Sequence, residues 1–156
     1  MSMTNEAEFV YRPYTKDDIP FLHATWGNSY YGGNALPEDA QHYRIPDPAT
    51  FHKFHRAIRN RFFNEPTATV IVCSPSDDPW HILGWIAVEV IPNAYILHYL
   101  HVKKTLRKIG IAKSLIKRSL PAGNTIFYTH ITKHAAEIMA VKSKDLKDFR
   151  YLPHLV

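Results

Sequence analysis

The pattern of apolar and polar residues changes its period several times along the chain and predicts an alternation of strands and helices. Short runs rich in β-branched and aromatic residues predict strands at 9–12, 67–73, 82–91, 95–102, 125–132 and 149–156. Apolar residues at spacings of three and four predict helices at about 15–31, 47–64, 109–120 and 135–141. The three middle strands are joined by short turns and therefore form an antiparallel meander. The fold class is α+β, with a mixed sheet and helices on both faces.

The first two helices have recognisable starts. Thr15 is followed by Asp17 and Asp18, and Asp47 precedes the second helix, so Thr15 and Asp47 are predicted N-caps. One face of the second helix carries Phe51, Phe54, Ile58 and Phe62, and the opposite face carries Lys53, Arg56, Arg59 and Arg61. The pattern predicts that the aromatic stripe is buried and that the basic face is solvated.

The stretch 26–48 between these helices combines aromatic residues with glycines and prolines. Its aromatic residues are Trp26, Tyr30, Tyr31 and Tyr43. We interpret it as a functional loop that contains at most a short helix.

Composition narrows the class of protein. The chain has 156 residues, of which 46% are hydrophobic and 21% charged, which fits a single globular domain over 1–156 and excludes a wholly disordered or coiled-coil chain. Cys73 is the only cysteine and lies in an apolar run, so it is predicted to be a buried structural thiol. His52 and His55 have no third ligand nearby and are predicted surface residues, with no metal site. The polar N-terminus and the lack of a long apolar run predict a cytoplasmic protein.

The net charge of +5 is concentrated in one segment. Residues 103–118 contain seven of the 19 Lys and Arg and no acid, so the remaining chain has 12 basic and 14 acidic residues. The local charge favours a phosphorylated ligand over a nucleic acid, which would require a basic stripe across a face.

The segment 100–114 is the strongest candidate for a phosphate site. A strand ends, a short basic loop follows, and a helix begins at Gly110, where unpaired backbone N–H groups and the helix dipole favour an anion. The absence of a side chain at Gly110 permits close approach of a ligand. The segment lacks the glycine patterns of nucleotide triphosphatases and of dinucleotide-binding folds. On these grounds alone a phosphate site and an ordinary basic turn remain equally supported.

Val102 followed by Arg107-x-x-Gly110-x-Ala112 resembles the acyl-CoA-binding motif of the GNAT superfamily of N-acetyltransferases, and the order of elements resembles that fold. The resemblance implies that the backbone of Leu100, His101 and Val102 pairs with pantetheine. It also implies that the loop starting at Arg107 binds the pyrophosphate of acetyl-CoA, with a hydroxyl contact from Ser114. The first two helices and their loop would form walls of the acceptor site, with Trp26, Tyr30 and Tyr31 as the substrate-binding residues. The backbone amides that would bind the pyrophosphate belong to Lys108, Ile109, Gly110, Ile111, Ala112 and Lys113.

Acetyl transfer to an amine needs a base, and His98 is the first candidate. By period two it shares a strand face with Leu100 and Val102, whereas His101 lies on the other face. Arylalkylamine acetyltransferases, a GNAT branch, have a histidine at the matching place. Glu89 in the preceding strand is a second candidate to contact the acceptor amine.

The chain departs from the family pattern at the position of the general acid. Many GNAT enzymes have a tyrosine in the helix after the fifth strand, where this chain has Met139 and Ala140, so Tyr128 is the candidate substitute. The chain also ends soon after Phe149, which leaves the acceptor site open or an edge for a homodimer.

Three functions follow from these observations. The first is an N-acetyltransferase that acts on an amine of a small molecule or a protein. The second is a catalytically silent domain of the same fold that binds a protein partner. The third is a nucleic-acid-binding module.

Overall fold

The computed structural model describes residues 8–29, 47–107, 109–120, 125–129 and 148–151. Within these ranges the chain forms six strands and three α-helices. The strands are β1 (Phe9–Pro13), β2 (Ala68–Pro75), β3 (Gly84–Ile91), β4 (Ala94–Val102), β5 (Thr125–Tyr128) and β6 (Asp148–Tyr151). The helices are α1 (Ile19–Ser29), α2 (Pro48–Phe63) and α3 (Ile111–Ser119), with 3₁₀ turns at Lys16–Asp18 and Lys104–Leu106. The predicted helix at 135–141 lies outside the described residues.

All six strands belong to one sheet, whose spatial order follows the order in sequence. Strands β1 to β4 pair antiparallel, whereas β5 pairs parallel with β4 and β6 pairs parallel with β5. The parallel step from β4 to β5 passes through α3, as a crossover requires. The predicted meander and the mixed, mostly antiparallel α+β fold are confirmed.

Helices cover both faces of the sheet, as predicted. On one face α3 buries Ile111, Leu115 and Ile116 against a cluster that includes Val88 and Leu100. On the other face α1 and α2 pack against a second cluster, which contains Leu22, Trp26, Phe62, Trp85 and Tyr99. The sheet therefore separates two apolar cores.

The buried stripe of α2 differs from the predicted one. Phe51 and Phe62 are buried, but Phe54 is 58% exposed, and His55 and Arg59 are each only 2% exposed. Residues 51, 55, 59 and 62 follow spacings of four, four and three, so they form one helix face. The prediction of a solvated Arg59 and a surface His55 was wrong, because polar residues occupy buried positions of that face. Asp47 caps α2 as predicted, accepting a hydrogen bond of 2.8 Å from the Thr50 N–H.

Trp26 belongs to the core and not to a loop. It is fully buried in α1, which continues to Ser29, and its ring stacks on Tyr99 with a centroid distance of 5.5 Å. Indole rings make large buried contacts, so Trp26 anchors α1 to the sheet. The prediction that Trp26 binds substrate was therefore wrong. Tyr30 and Tyr31 lie outside the described residues.

Two further expectations concern Cys73 and membranes. Cys73 is fully buried, and burial raises the pKa of its thiol to about 11, so the predicted structural role is confirmed.

Among the described helices, none has the length and apolar character needed to cross a bilayer.

An ion pair ties β1 to the turn before α1. Arg12 donates to both carboxylate oxygens of Asp18, at 2.7 and 3.0 Å, and the Thr15 N–H donates to the same carboxylate at 2.7 Å. Asp18 is buried, and the Arg12 guanidinium holds the pKa of that carboxyl below its ordinary value.

We predict that Asp18→Asn lowers the free energy of unfolding by about 2 kcal/mol at neutral pH, because the buried Asp18 side chain loses its charge-assisted hydrogen bonds with the half-buried Arg12. Since the folded-state pKa is lowered, the contribution of Asp18 is present above the ordinary pKa of about 3.9 and is lost as pH falls through the folded value. Urea unfolding of the wild type and of Asp18→Asn from pH 7 to pH 3 measures this contribution to the free energy of unfolding. The exposed neighbour Asp17→Asn is the control, and an equal loss in both variants would contradict the prediction.

Candidate active site

A β-bulge in β4 determines where His98 lies. Ala87 pairs with Tyr99 and Val88 pairs with Leu97, so His98 is an extra residue on β4 without an opposite residue on β3. Because of this extra residue, His98 and Tyr99 both face α1 and α2. The ring of His98 lies 5.0 Å from that of Phe62. The prediction that His98 shares a face with Leu100 and Val102 was wrong, because period two does not hold across a bulge.

Two polar partners hold the His98 ring. Its Nε2 lies 2.9 Å from Glu89 Oε1, and its Nδ1 lies 3.0 Å from the hydroxyl oxygen of Thr129. The side chain of His98 is 1% exposed and that of Glu89 is 17% exposed. The structure thus brings together the two predicted candidates, with Glu89 as the more accessible member.

The hydrogen bonds restrict the protonation states of the pair. An ionised carboxylate only accepts, so Nε2 of His98 donates to Glu89. Nδ1 then accepts from the Thr129 hydroxyl when the ring is neutral, and donates to the same hydroxyl oxygen when it is protonated. A hydroxyl fits both states, so His98 can gain or lose a proton without leaving a buried polar atom unpaired.

Glu89 is kept ionised by its surroundings. The hydrogen bond from His98 is the main cause that lowers the pKa of Glu89, and partial burial opposes it. Thr67 donates a weaker hydrogen bond of 3.4 Å to the second carboxylate oxygen. The pair therefore presents a negative, partly exposed carboxylate backed by a buried imidazole.

The described pairing of β4 with β5 ends next to His98. Their pairing runs from Ala94–Thr125 to Leu97–Tyr128, and the Thr129 N–H donates to the Leu97 carbonyl at 3.2 Å. After Leu97 no described residue of β5 pairs with β4, while β3 continues to pair with it as far as Val102. The last described contact between β4 and β5 therefore lies next to His98.

The basic loop between β4 and α3 follows directly after Val102. Arg107 Nε donates to the Val102 carbonyl at 3.2 Å, and α3 begins after Gly110, which has a φ of 99°. A β-carbon at Gly110 would have no protein atom within 4 Å, so the backbone there borders open space. The first intrahelical bond is from the Ser114 N–H to the Gly110 carbonyl at 3.0 Å, which leaves the preceding N–H groups for a ligand.

The side chains of the loop divide between solvent and core. Ile109 and Lys113 are exposed, whereas Ile111 is buried and Ala112 is half-buried, which anchors the start of α3. Ser114 is half-buried and forms a side-chain hydrogen bond with Tyr11. Lys108 lies outside the described residues.

Tyr128 does not meet the candidate pair. It pairs in register with Leu97 and packs against the cluster under α3, on the opposite face of the sheet from His98. The suggestion that Tyr128 is the general acid for the leaving thiolate stays a prediction. His101 stacks over Tyr99 at 6.2 Å and so lies opposite Leu100 and Val102, as predicted. Among the described residues no group of His, Cys, Asp or Glu could hold a metal ion.

Thr129 and Thr67 were missed by the sequence reasoning. Thr129 is fully buried and lies 31 residues from His98 along the chain, so no local spacing connects them. The only sequence feature that could have indicated Thr129 is its position as a polar residue directly after the apolar run of β5.

We predict that His98→Gln raises the pKa of Glu89 toward its ordinary value, because the variant lacks the imidazole that lowers it. In the wild type this interaction stabilises the fold above the ordinary Glu pKa of about 4.3, and the contribution is lost as pH falls through the lowered value. Carbon-13 NMR titration of the Glu89 carboxyl measures the change. His81→Gln, at an exposed position, is the control, and an unmoved Glu89 pKa in His98→Gln would contradict the assignment.

Comparison with known proteins identifies the fold. No family model and no curated protein matches the sequence. A candidate acetyl transferase from Pyrococcus furiosus superposes with a TM-score of 0.58 at 10% identity, over 93% of this chain and 82% of that one. The aminoglycoside N-acetyltransferase AAC(6')-Iy, solved with CoA, gives 0.55 at 11% identity, over 92% and 90%. The chain therefore has the fold of the GNAT acetyltransferases.

Proposed function

We propose that this protein is an N-acetyltransferase of the GNAT superfamily that moves an acetyl group from acetyl-CoA to a primary amine of a small molecule or a protein. One observation carries the proposal. The His98–Glu89 pair lies at the middle of β4, next to the last described pair with β5, and the Gly110 loop follows the end of the same strand at Val102. One strand therefore leads from a candidate proton acceptor to a candidate anion-binding loop.

The residues present fit the cofactor. The edge of Leu100, His101 and Val102 would pair with the amides of pantetheine, and the N–H groups at the start of α3 would bind the pyrophosphate. The open space at Gly110 supports this fit, because a side chain there would occupy it. When bound, acetyl-CoA supplies an acyl group activated as a thioester.

Positive charge surrounds this loop. Lys103, Lys104, Lys113, Lys117 and Arg118 are exposed, and Arg107 is partly buried against Val102. Exposed cations close to a helix N-terminus raise the local concentration of an anion and contribute to its binding. Lys117 and Arg118 lie in the last turn of α3, so the described cations at the loop are Lys103, Lys104, Arg107 and Lys113.

The His98–Glu89 pair is suited to remove a proton from the acceptor. A lysine-like amine has a pKa of about 10.4 and is mostly protonated at neutral pH, so it must lose a proton before it attacks a carbonyl carbon. Glu89 is the accessible member and would bind the ammonium group by charge. Glu89 would take a proton from the ammonium group that it binds, and His98, held at Nδ1 by Thr129, would keep the carboxylate oriented by donating to it from Nε2.

The leaving thiolate needs no dedicated acid in this proposal. Its pKa, by analogy with cysteine, is about 8.5, so it can leave as the anion near neutral pH. Tyr128 lies on the other face of the sheet, and burial raises the pKa of its phenol. We retain Tyr30 and Tyr31 as the proposed acceptor-binding residues of the loop after α1.

We predict that millimolar acetyl-CoA raises the unfolding temperature of the wild type by several degrees, since a ligand at 100 times its Kd contributes about 2.7 kcal/mol. Gly110→Glu should abolish the shift, because it places bulk and negative charge in the open space. Gly110→Ala is the control, since it has the same unfavourable positive φ but only a methyl group. No shift in the wild type would contradict cofactor binding.

We also predict that Glu89→Gln and Thr129→Val each lower kcat for acetyl transfer by about 10²-fold, a typical size for general base catalysis. Thiol release with a panel of amines measures turnover. Thr129→Ser keeps the hydroxyl and should restore most of the rate. The deficit should shrink at high pH, where the free amine is abundant. Binding of acetyl-CoA without turnover of any amine would instead indicate the catalytically silent domain.

A further inference from the structure

A cleft lined by polar and apolar residues lies between α1 and α2. Its volume is about 640 Å³, within the usual range for small-ligand sites. It is lined by Pro20, His23, Ala24, Asn28, His52, Arg56, Arg59 and Asn60. Two of these residues are arginines and none is acidic, so the cleft is formally positive.

Arg59 is the unusual residue of the cleft. It is only 2% exposed, although arginine is seldom buried without a charged partner. Its Nε donates to His23 Nδ1 at 3.0 Å, and its Nη1 hydrogen bonds to His55 Nδ1. Of its five N–H groups these contacts use two, so the guanidinium has further donors for a ligand.

The fold makes room for this guanidinium. A β-carbon at Gly27, in the middle of α1, would lie 2.6 Å from Arg59 Nη1 and 3.2 Å from His52 Nδ1. Glycine inside a helix costs about 1 kcal/mol relative to alanine. Gly27 therefore lowers the stability of α1 but leaves the space that the Arg59 guanidinium occupies.

The partners of Arg59 orient it without cancelling its charge. Burial lowers the pKa of His55 to about 3 and also lowers that of His23, so both rings are neutral acceptors at physiological pH. Burial, followed by the charge of Arg56, lowers the pKa of Arg59 to about 10, which leaves it protonated. In the described ranges the carboxylates that form ion pairs are Asp18 and Glu89, neither of which lines the cleft.

We propose that this cleft binds the dianionic phosphate of a phosphomonoester, held by Arg59 and Arg56. Two guanidinium groups match two negative charges, and the planar fork of arginine fits the oxygens of a phosphate. The exposed Asn28 and Asn60 at the cleft supply amide groups for the polar remainder of the ligand. The cleft is larger than a phosphate alone, which favours a phosphorylated small molecule.

This site is separate from the proposed cofactor loop. Helix α3 packs on the opposite face of the sheet from α1 and α2, and the described residues that line the cleft all belong to α1 and α2. The inference does not depend on acetyl transfer, and either one can fail alone.

The test is a thermal-unfolding titration of the full chain with inorganic phosphate and with glucose 6-phosphate, at constant ionic strength set by chloride. The expected result is a saturable rise in unfolding temperature with both, and little rise with acetate. Arg56→Gln should weaken the apparent phosphate affinity about tenfold. Lys53→Gln removes an exposed charge from the same helix outside the cleft and should leave the affinity unchanged.

Three further variants complete the test. Gly27→Ala displaces Arg59 and should also weaken phosphate binding, whereas Arg107→Gln, at the cofactor loop, should not. Glu38→Gln with Asp39→Asn, in the part of the chain outside the described ranges, should leave the affinity unchanged; a large increase would indicate that the chain's own carboxylate occupies the cleft. No saturable rise in the wild type, equal effects of Arg56→Gln and Lys53→Gln, or tighter binding of an oligonucleotide without terminal phosphates would each overturn the proposal.

Discussion

The one extra residue in β4 is the constraint on which the site depends. Because His98 has no opposite residue on β3, both His98 and Tyr99 turn toward α1 and α2. The same irregularity coincides with the end of the β4–β5 pairing at Leu97. An uninterrupted ladder would turn His98 away from Glu89. The bulge thus creates the candidate proton acceptor.

The aromatic core under α1 and α2 supports this arrangement. Trp26 stacks on Tyr99, contacts Trp85 edge-on at 5.8 Å, and lies 6.4 Å from the ring of His98. Such rings exclude water from the imidazole and hold it by packing, so its hydrogen bonds to Glu89 and Thr129 are the ones that set its orientation. The same two helices line the Arg59 cleft, so one helix pair contributes to both proposed sites.

Several features could be predicted because they depend on neighbours in sequence. The caps at Thr15 and Asp47, the buried thiol of Cys73, the meander and the start of a helix after Gly110 follow from local residue types. Errors arose where a buried position carries a polar residue. Arg59 and His55 were assigned to solvent because charge normally marks an exposed face, whereas here a glycine and neighbouring histidines accommodate them.

The sequence by itself determined the order of elements, the concentration of positive charge in residues 103–118 and the glycine at the start of α3, since each rests on period, composition or a single local conformation. Only the tertiary structure decided the face of His98, its pairing with Glu89 and Thr129, the burial of Trp26 and the position of Tyr128 away from the pair. These depend on register between strands and on helix packing, which join residues up to 31 positions apart in the case of His98 and Thr129. A one-residue bulge reverses the face of a strand residue without leaving a mark in the local pattern.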